Sequence, residues 1–340
     1  MKTRFSKLIR FLSVLCLAVW AVAPRAVAQT PAKLDIQVYA GLSITGAVGT
    51  VYSVEYVTDL AQTNNASAWR CLEFLQLPAS PYLWADKSAP ATGQRFYRAV
   101  AMEAPTNLVF IPPGTFRMGS PTNEAERFDS EGPQTAVTIS RGFWMGKYEV
   151  TQGEYLAVMG SNPSVFTGDT NCPVEMVTFS AVTNYCARLT ERERAAGRIA
   201  TNSVYRLPTE TEWEYACRPG TSTRFSYGDD PGYTNLTKYA TYNYIPSRPS
   251  PAGRKLPNPW GLYDMHGNVW EYCQDCWSPE LPGGIALDPQ GPVTDSGPVI
   301  RGGAYNFNGR ECRSACRAHC MPGAWGPDLG FRLVLARGQP

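Results

Sequence analysis

Histidine is scarce in this chain, which has two among 340 residues. His266 and His319 cannot form a three-histidine metal site by themselves. The pattern G-x-S-x-G is absent, and neither histidine lies near a plausible nucleophilic serine. The histidine content therefore argues against a three-histidine iron centre and against a hydrolytic triad. His266, which stands beside Gly267, is interpreted as a turn residue.

Long apolar runs and basic blocks are missing from most of the chain. The first segment, residues 1–28, has a basic start, a short apolar run and an A-x-A site ending at Ala28, which predicts a secretory signal peptide. We therefore expect a secreted or periplasmic protein with no membrane span. Removal of the five basic residues of this segment, which contains no acidic ones, lowers the formal net charge from +2 to about −3. Nucleic acid and anionic membranes are not expected partners.

Cysteine, in contrast, is abundant: ten residues, nine of them after the predicted signal peptide. Three of them, Cys312, Cys316 and Cys320, stand at equal steps in RECRSACRAHC. This C-x3-C-x3-C pattern differs from the C-x3-C-x2-C of an iron–sulfur radical centre. Cys273 and Cys276 form a C-x2-C, so a mixed zinc site with Cys312 or Cys316 is one alternative. In an oxidising compartment the default interpretation is structural disulfides with one thiol left over.

Composition divides the rest of the chain into two predicted modules. Residues 29–104 alternate apolar and polar positions and are rich in Val, Ile, Tyr and Thr, which predicts a small β-sandwich-like accessory domain without a catalytic constellation. Residues 105–338 are rich in Trp, Tyr, Gly and Pro and have few long periodic segments. They predict an irregular α+β domain, with the boundary near residues 104–106.

Two short helices carry the sequence signature of a capping box. Thr151 is followed by Glu154, and the helix is expected to end at Gly160. Thr209 and Glu212 repeat the arrangement before the next short helix. Such boxes stabilise helix ends and indicate structure rather than catalysis.

A longer amphipathic helix lies between them. It is expected to begin at Ser180 and to close at Gly197. Gly220 is expected to end the turn that follows Cys217.

Six blocks, in order, closely resemble the sulfatase-modifying-factor family, whose founding members are the formylglycine-generating enzymes. They are FIPPGTFRMGS (110–120), MGKYEVTQGEY (145–155), RLPTETEWEYACRPG (206–220), NPWGLYDMHGNVWEYC (258–273), IRGGAYN (300–306) and LGFRLV (329–334). The resemblance covers residues 105–336 and implies a variant of the C-type-lectin-like fold. It also implies an oxidase that converts a sulfatase cysteine to formylglycine, using oxygen and a copper(I) ion held by two cysteines.

The chain departs from the oxidase pattern at the positions that the resemblance marks as catalytic. Ala304 stands for the serine and Phe307 for the first copper cysteine. Cys312 matches the second cysteine, although a shorter segment before the Leu-Gly-Phe-Arg end makes this match depend on where the gap is placed. Asp328 replaces an asparagine, and Trp270 is retained. Cys312 and Trp270 are the catalytic candidates that survive.

The resemblance also implies structural cysteines. Cys217 and Cys186 match the two positions that form bridges to the C-terminal region in the family. Cys316 or Cys312 is the candidate partner of Cys217, and Cys186 is rerouted to Cys320 if it pairs at all, because Leu333 occupies its usual partner position. A bridge from Cys217 to Cys316 would contribute about 4–5 kcal/mol by the chain-entropy model.

One metal is implied as well. GLYDMHGNVWEY resembles the calcium loop of the family, in which Asp264, the carbonyls of Gly267 and Val269, and Glu271 would enclose Ca²⁺. The alternative is that Glu271 pairs with an arginine.

Two functions therefore stay open. The first is an exported, non-oxidising member that binds a protein or glycan ligand; the second is a formylglycine-generating oxidase that acts on a sulfatase polypeptide, with Cu⁺ held by Cys312 and Cys316. They differ in whether the tail contains free thiols that can bind copper.

Overall fold

The computed structural model describes residues 40–89, 93–292 and 296–338. The predicted signal peptide lies outside these ranges, as does the beginning of the predicted β-module. No helix in the described ranges is long and apolar enough to cross a membrane.

The first part of the described chain is built from strands. They are β1 (Ala40–Ile44), β2 (Val51–Val57), β3 (Arg70–Gln76), β4 (Tyr82–Asp86) and β5 (Phe96–Ala101). β1 pairs with β4, and β2 lies between β3 and β5, all antiparallel. Leu42 and Ile44 of β1 pack with Val54 of β2 and with Leu77, so the two sheets share one apolar cluster. Buried and exposed side chains alternate along these strands. This alternation produces the apolar–polar pattern from which an all-β module was predicted.

The remaining strands are short and form three further sheets. They are β6 (Leu108–Ile111), β7 (Gly114–Met118), β8 (Thr135–Ile139), β9 (Phe143–Gly146), β10 (Ser203–Arg206), β11 (Trp270–Cys276), β12 (Gly284–Leu287), β13 (Pro298–Arg301), β14 (Ala318–His319), β15 (Leu329–Gly330) and β16 (Val334–Arg337). The sheet orders are β10-β16-β9-β6, β14-β13-β11-β15 and β12-β8-β7. Long loops connect them, so the predicted irregular α+β class is confirmed.

Four α-helices lie in the described ranges: α1 (Gln152–Met159), α2 (Phe179–Ala195), α3 (Glu210–Cys217) and α4 (Leu236–Tyr239). Both predicted capping boxes are confirmed, with Thr151 before α1 and Thr209 before α3. Gly160 ends α1 in the left-handed region, at φ 80°.

One predicted helix end was wrong. Helix α2 begins after Thr178, not Ser180, because the Thr178 side chain accepts the hydrogen bond of the Ala181 N–H. Helix α3 ends at Cys217 and is capped at Arg218, whose N–H bonds to the carbonyls of Glu214 and Tyr215. Gly220 lies in the turn that follows, with φ 73°, as predicted.

Strand β11 separates the two largest hydrophobic clusters. Tyr272 packs with Val174 and Phe331, whereas Cys273, the next residue, packs with Trp213 and other side chains on the opposite face. Alternation along a strand explains this division. Because Trp270 is the first residue of β11, this buried strand fixes the position of the candidate site.

The β-module contacts the larger region, residues 105–338, through Asn202. Its side chain accepts a hydrogen bond from the Cys71 N–H at 2.7 Å and donates one to the Cys71 carbonyl at 2.8 Å. Phe74 of β3 packs in the same cluster as Trp144 and Leu335. The exact division of the chain near residue 104 stays a prediction.

Candidate functional site

The segment that carries Ala304 and Phe307 is held by its backbone. The Tyr305 N–H bonds to the Asn268 carbonyl at 2.8 Å, and the Phe307 N–H closes a turn onto the Ala304 carbonyl at 3.0 Å. On the other side, the Tyr244 N–H bonds to the Tyr305 carbonyl at 2.6 Å. These bonds place the segment next to Trp270 at the start of β11.

Phe307 occupies the place that the resemblance assigns to a copper-binding thiol. Its ring packs edge-on against Trp270, with centroids 5.4 Å apart and an interplanar angle of 83°. The backbone N–H of Trp270 donates in turn to the Asp328 carbonyl at 2.8 Å, which holds Trp270 in place. An aromatic edge therefore lies where an oxidase of this family has sulfur.

Cys312 lies beneath this segment and is fully buried. A Cβ atom added at Gly303 would stand 2.9 Å from the Cys312 sulfur, so only glycine allows the backbone to pass here. Burial, together with Cys316 and Glu311, raises the pKa of Cys312 well above its ordinary value. Burial also raises the pKa of Cys316, to about 12. Metal ligation by cysteine needs the thiolate, which this environment disfavours.

Two arginines that sequence analysis missed hold the cysteine-rich tail. Arg313 bonds to Glu131 at 2.5 Å, and Arg317 bonds to Glu210 at 2.5 Å. All four side chains are buried. Each arginine directly follows a cysteine, Cys312 or Cys316, and this repeated Cys-Arg pair was the available signal. The regular spacing of the tail thus places guanidinium groups against buried carboxylates.

The predicted disulfide partners are free thiols in the structure, as are all nine cysteines in the described ranges. Cys217 packs in one hydrophobic cluster, and its sulfur lies 3.9 Å from the Met265 carbonyl. Cys186, Cys316 and Cys320 belong to another cluster. The pairing of Cys217 with Cys316 and that of Cys186 with Cys320 stay predictions.

Cys273 and Cys276 form no metal cluster: in the ranges that the structure describes, no group of three or more His, Cys, Asp or Glu side chains is placed to hold an ion. His266 lies in the bend before β11, in agreement with its interpretation as a turn residue, and it is buried there. Its Nδ1–H donates to the Cys312 carbonyl at 2.9 Å, and its Nε2 accepts from Ser226. Burial lowers the pKa of His266 to about 4, so the ring stays neutral.

Glu271 of the predicted calcium loop pairs with an arginine. The Arg332 Nη2 lies 2.5 Å from its Oε1, and the Trp213 indole N–H donates to its Oε2 at 2.6 Å. This is the alternative that the sequence left open.

The other predicted donors of that loop, the Asp264 carboxylate and two carbonyls, are hard oxygens of the type that Ca²⁺ prefers. The carbonyls of Gly267 and Val269 are buried, and neither accepts a hydrogen bond from any described residue. Burial raises the pKa of Asp264 to about 6, with Glu271 adding a like charge. Burial, together with Asp264 and Glu271, also raises the pKa of Glu149, but its two oxygens already accept hydrogen bonds from the Asn268 amide and the Val269 N–H. The charge of Arg332 opposes this repulsion, because it lowers the pKa of both Asp264 and Glu149. Calcium at this loop therefore stays a prediction.

A second group of polar side chains lies beside the Phe307 segment and was also missed. Glu175 is fully buried; its Oε1 accepts the Phe166 N–H at 2.8 Å, and its Oε2 has no partner. The Asn306 amide donates to Asp328 Oδ2 at 3.1 Å, and its own oxygen is buried without a partner. Burial and the charge of Asp328 raise the pKa of Glu175.

A separate cavity of about 880 Å³ lies between the β-module and the larger region. Glu55, Arg98, Tyr185 and Arg194 are among its lining residues, which do not include Trp270, Phe307 or Cys312. It is therefore distinct from the candidate site.

The sulfatase-modifying factor enzyme 1-like domain matches residues 95–337 of this chain. The chain belongs to this family. The formylglycine-generating enzyme of Mus musculus is 28% identical over 294 residues, covering 67% of this chain and 75% of the mouse protein. The chaperone protein LppX of Paenibacillus barcinonensis is 28% identical over 276 residues, covering 68% and 90%.

A solved structure has the same fold. Treponema denticola variable protein 1 superposes with a TM-score of 0.59 at 26% identity, covering 73% of this chain and 98% of that protein. The predicted family and fold are confirmed. The family includes relatives described as an enzyme and as a chaperone, so membership alone does not determine the chemistry.

Proposed function

We propose that this chain is an exported, non-oxidising member of the family that binds a polypeptide partner through the surface around Trp270 and Phe307. The packing of Phe307 against Trp270 carries the proposal. It puts a ring at the position that needs a thiol for copper-dependent cysteine oxidation.

The remaining thiols do not compensate for this change. Cys312 and Cys316 are buried, and their raised pKa values favour the neutral thiol over the thiolate that soft Cu⁺ binds. The donor set therefore does not fit copper, and no catalytic role is assigned to Cys312 or Trp270. Asp264 with the carbonyls of Gly267 and Val269 fits Ca²⁺, which would neutralise the buried carboxylates and stiffen the loop that leads into β11.

The decisive experiment is incubation of the protein with a sulfatase-motif peptide, Cu⁺ and oxygen, followed by mass spectrometry of the peptide cysteine. We expect no aldehyde, while an active oxidase of the family assayed in parallel produces it. Formation of formylglycine by the native chain would establish the oxidase alternative. A count of free thiols in the exported protein, with a Cu⁺ titration, tests the same point without a substrate: two free tail thiols that bind Cu⁺ tightly contradict the proposal.

A further inference from the structure

We propose that the polar group beside Phe307 binds a primary ammonium ion, carried by a lysine side chain or an amino terminus of a polypeptide. We call this group the ammonium site and define it by Glu175, Asn306, Asp328, Tyr305 and Tyr244. The inference rests on the proposed function, because it names the partner chemistry of the same surface.

The ammonium site has more hydrogen-bond acceptors than hydrogen-bond donors. Glu175 Oε2 and Asn306 Oδ1 are buried and unpartnered, and Asp328 Oδ1 accepts no hydrogen bond from any described residue. In residues 40–89, 93–292 and 296–338, no lysine or arginine forms an ion pair with either carboxylate. An ammonium group carries three N–H donors and no acceptor, which matches this set. A buried acceptor without a donor destabilises the folded chain, so a ligand that supplies a donor is favoured.

The carboxylates of Glu175 and Asp328 influence each other and the same neighbouring tyrosine. Burial and the charge of Asp328 raise the pKa of Glu175, while the N–H groups of Phe166 and Val165 lower it. Burial and both carboxylates raise the pKa of Tyr305, so the three side chains share one electrostatic environment. Like charges held close together are stabilised by a cation between them.

Aromatic rings form the wall of the site. Tyr305 packs edge-on against Phe166 with centroids 5.7 Å apart and against Tyr244 at 6.4 Å. Tyr244 is 62% exposed, so it is the member that an approaching ligand meets first. The negative face of an aromatic ring attracts a cation placed over it. Phe307 for cysteine and Asp328 for asparagine, two of the three departures from the oxidase pattern, both add features that favour a cation.

The test is calorimetric titration of the full chain with three peptides of otherwise identical sequence. The first has blocked ends and a central lysine, the second has glutamine in its place, and the third has glutamine and a free amino terminus. We expect the lysine peptide or the free-amine peptide to bind about 10- to 100-fold more tightly than the blocked glutamine peptide. Whichever binds identifies the source of the ammonium group.

Variants then locate the site. Asp328→Asn and Tyr244→Ala, both at positions that reach the surface, should weaken the binding of the amine peptide about tenfold. Glu175→Gln should do the same if its melting temperature is unchanged, and Glu280→Gln, which alters an exposed carboxylate, is the matched control. Equal affinity for amine and glutamine peptides, no binding of either amine, or native affinity in folded Asp328→Asn and Tyr244→Ala would overturn the inference. These binding measurements do not detect formylglycine. The proposed non-oxidising function is therefore tested separately, by the peptide oxidation assay.

Discussion

Arg332 and Glu271 form an ion pair with 2.5 Å between Nη2 and Oε1, and neither side chain is exposed to solvent. Arg332 also donates to the carbonyls of Gly146 and Tyr263. The pair thus joins strands β9 and β11 to the loop that precedes β11.

Replacement of Arg332 by methionine should lower the free energy of unfolding by about 3–5 kcal/mol, because it leaves Glu271 buried without its partner. Urea denaturation measures this loss. Arg198→Met is the control: Arg198 is 58% exposed in its pair with Glu193, and solvent screens such a pair so strongly that its loss should change stability little. A loss at Arg332 no larger than that of the control would contradict the structural role assigned to the pair.

Stability should fall as the pH is lowered from 6.5 toward 4. Burial holds the pKa of His266 at about 4, below its ordinary value of 6.5. Between these values the unfolded chain binds a proton that the folded chain excludes, so this contribution is full above pH 6.5 and is lost toward pH 4. Its size is roughly 3 kcal/mol. Denaturation of native protein and His266→Gln at pH 7 and pH 5 tests this; the variant should lack this part of the slope, and His319→Gln, whose ring is exposed, should keep it.

Calcium should raise the melting temperature. We expect a shift of several degrees on addition of Ca²⁺ to protein treated with chelator, since a ligand that binds only the folded state stabilises it. Asp264→Ala should abolish the shift, because it removes the carboxylate that would hold Ca²⁺ together with the carbonyls of Gly267 and Val269. Asp129→Ala, an exposed carboxylate, is the control. An unchanged melting temperature of the native protein with Ca²⁺ would exclude the site.

Asn202 should anchor the β-module. Asn202→Ala removes both hydrogen bonds to the backbone of Cys71 and leaves that N–H and carbonyl unpaired, at a cost of about 1–3 kcal/mol for each buried group. Limited proteolysis should then cut the chain near residues 102–107 faster than in the native protein. Asn65→Ala, an exposed cap within the same module, should leave the cleavage rate unchanged. Equal rates for all three proteins would show that Asn202 is not the anchor.

Restoring a thiol at Phe307 should restore copper affinity. Phe307→Cys places a soft ligand beside Trp270 and is expected to tighten Cu⁺ binding about tenfold or more. Competition with a chromogenic Cu⁺ chelator measures it. Phe307→Ser, which removes the ring without adding sulfur, is the matched control, and tight Cu⁺ binding by that control or by the native chain would contradict the assignment of Phe307.

Local patterns predicted much of the fold. The capping boxes at Thr151 and Thr209 were found from sequence because the residues that satisfy a helix N-terminus lie three positions apart. The error at Ser180 has the same origin: Thr178 and Ser180 are both good caps, and only the backbone conformation, extended at Thr178, selects between them.

The amino-acid sequence by itself determined the family, the irregular α+β class, and the replacement of cysteine by Phe307 and of asparagine by Asp328. These depend on which residue follows which. Tertiary structure alone decided the pairing of Glu271 with Arg332, which lie 61 residues apart, the burial of Cys312, and the meeting of Glu175 with Asp328. Charge and desolvation act through space, so the state of a thiol or carboxylate follows from neighbours that only the folded chain brings together.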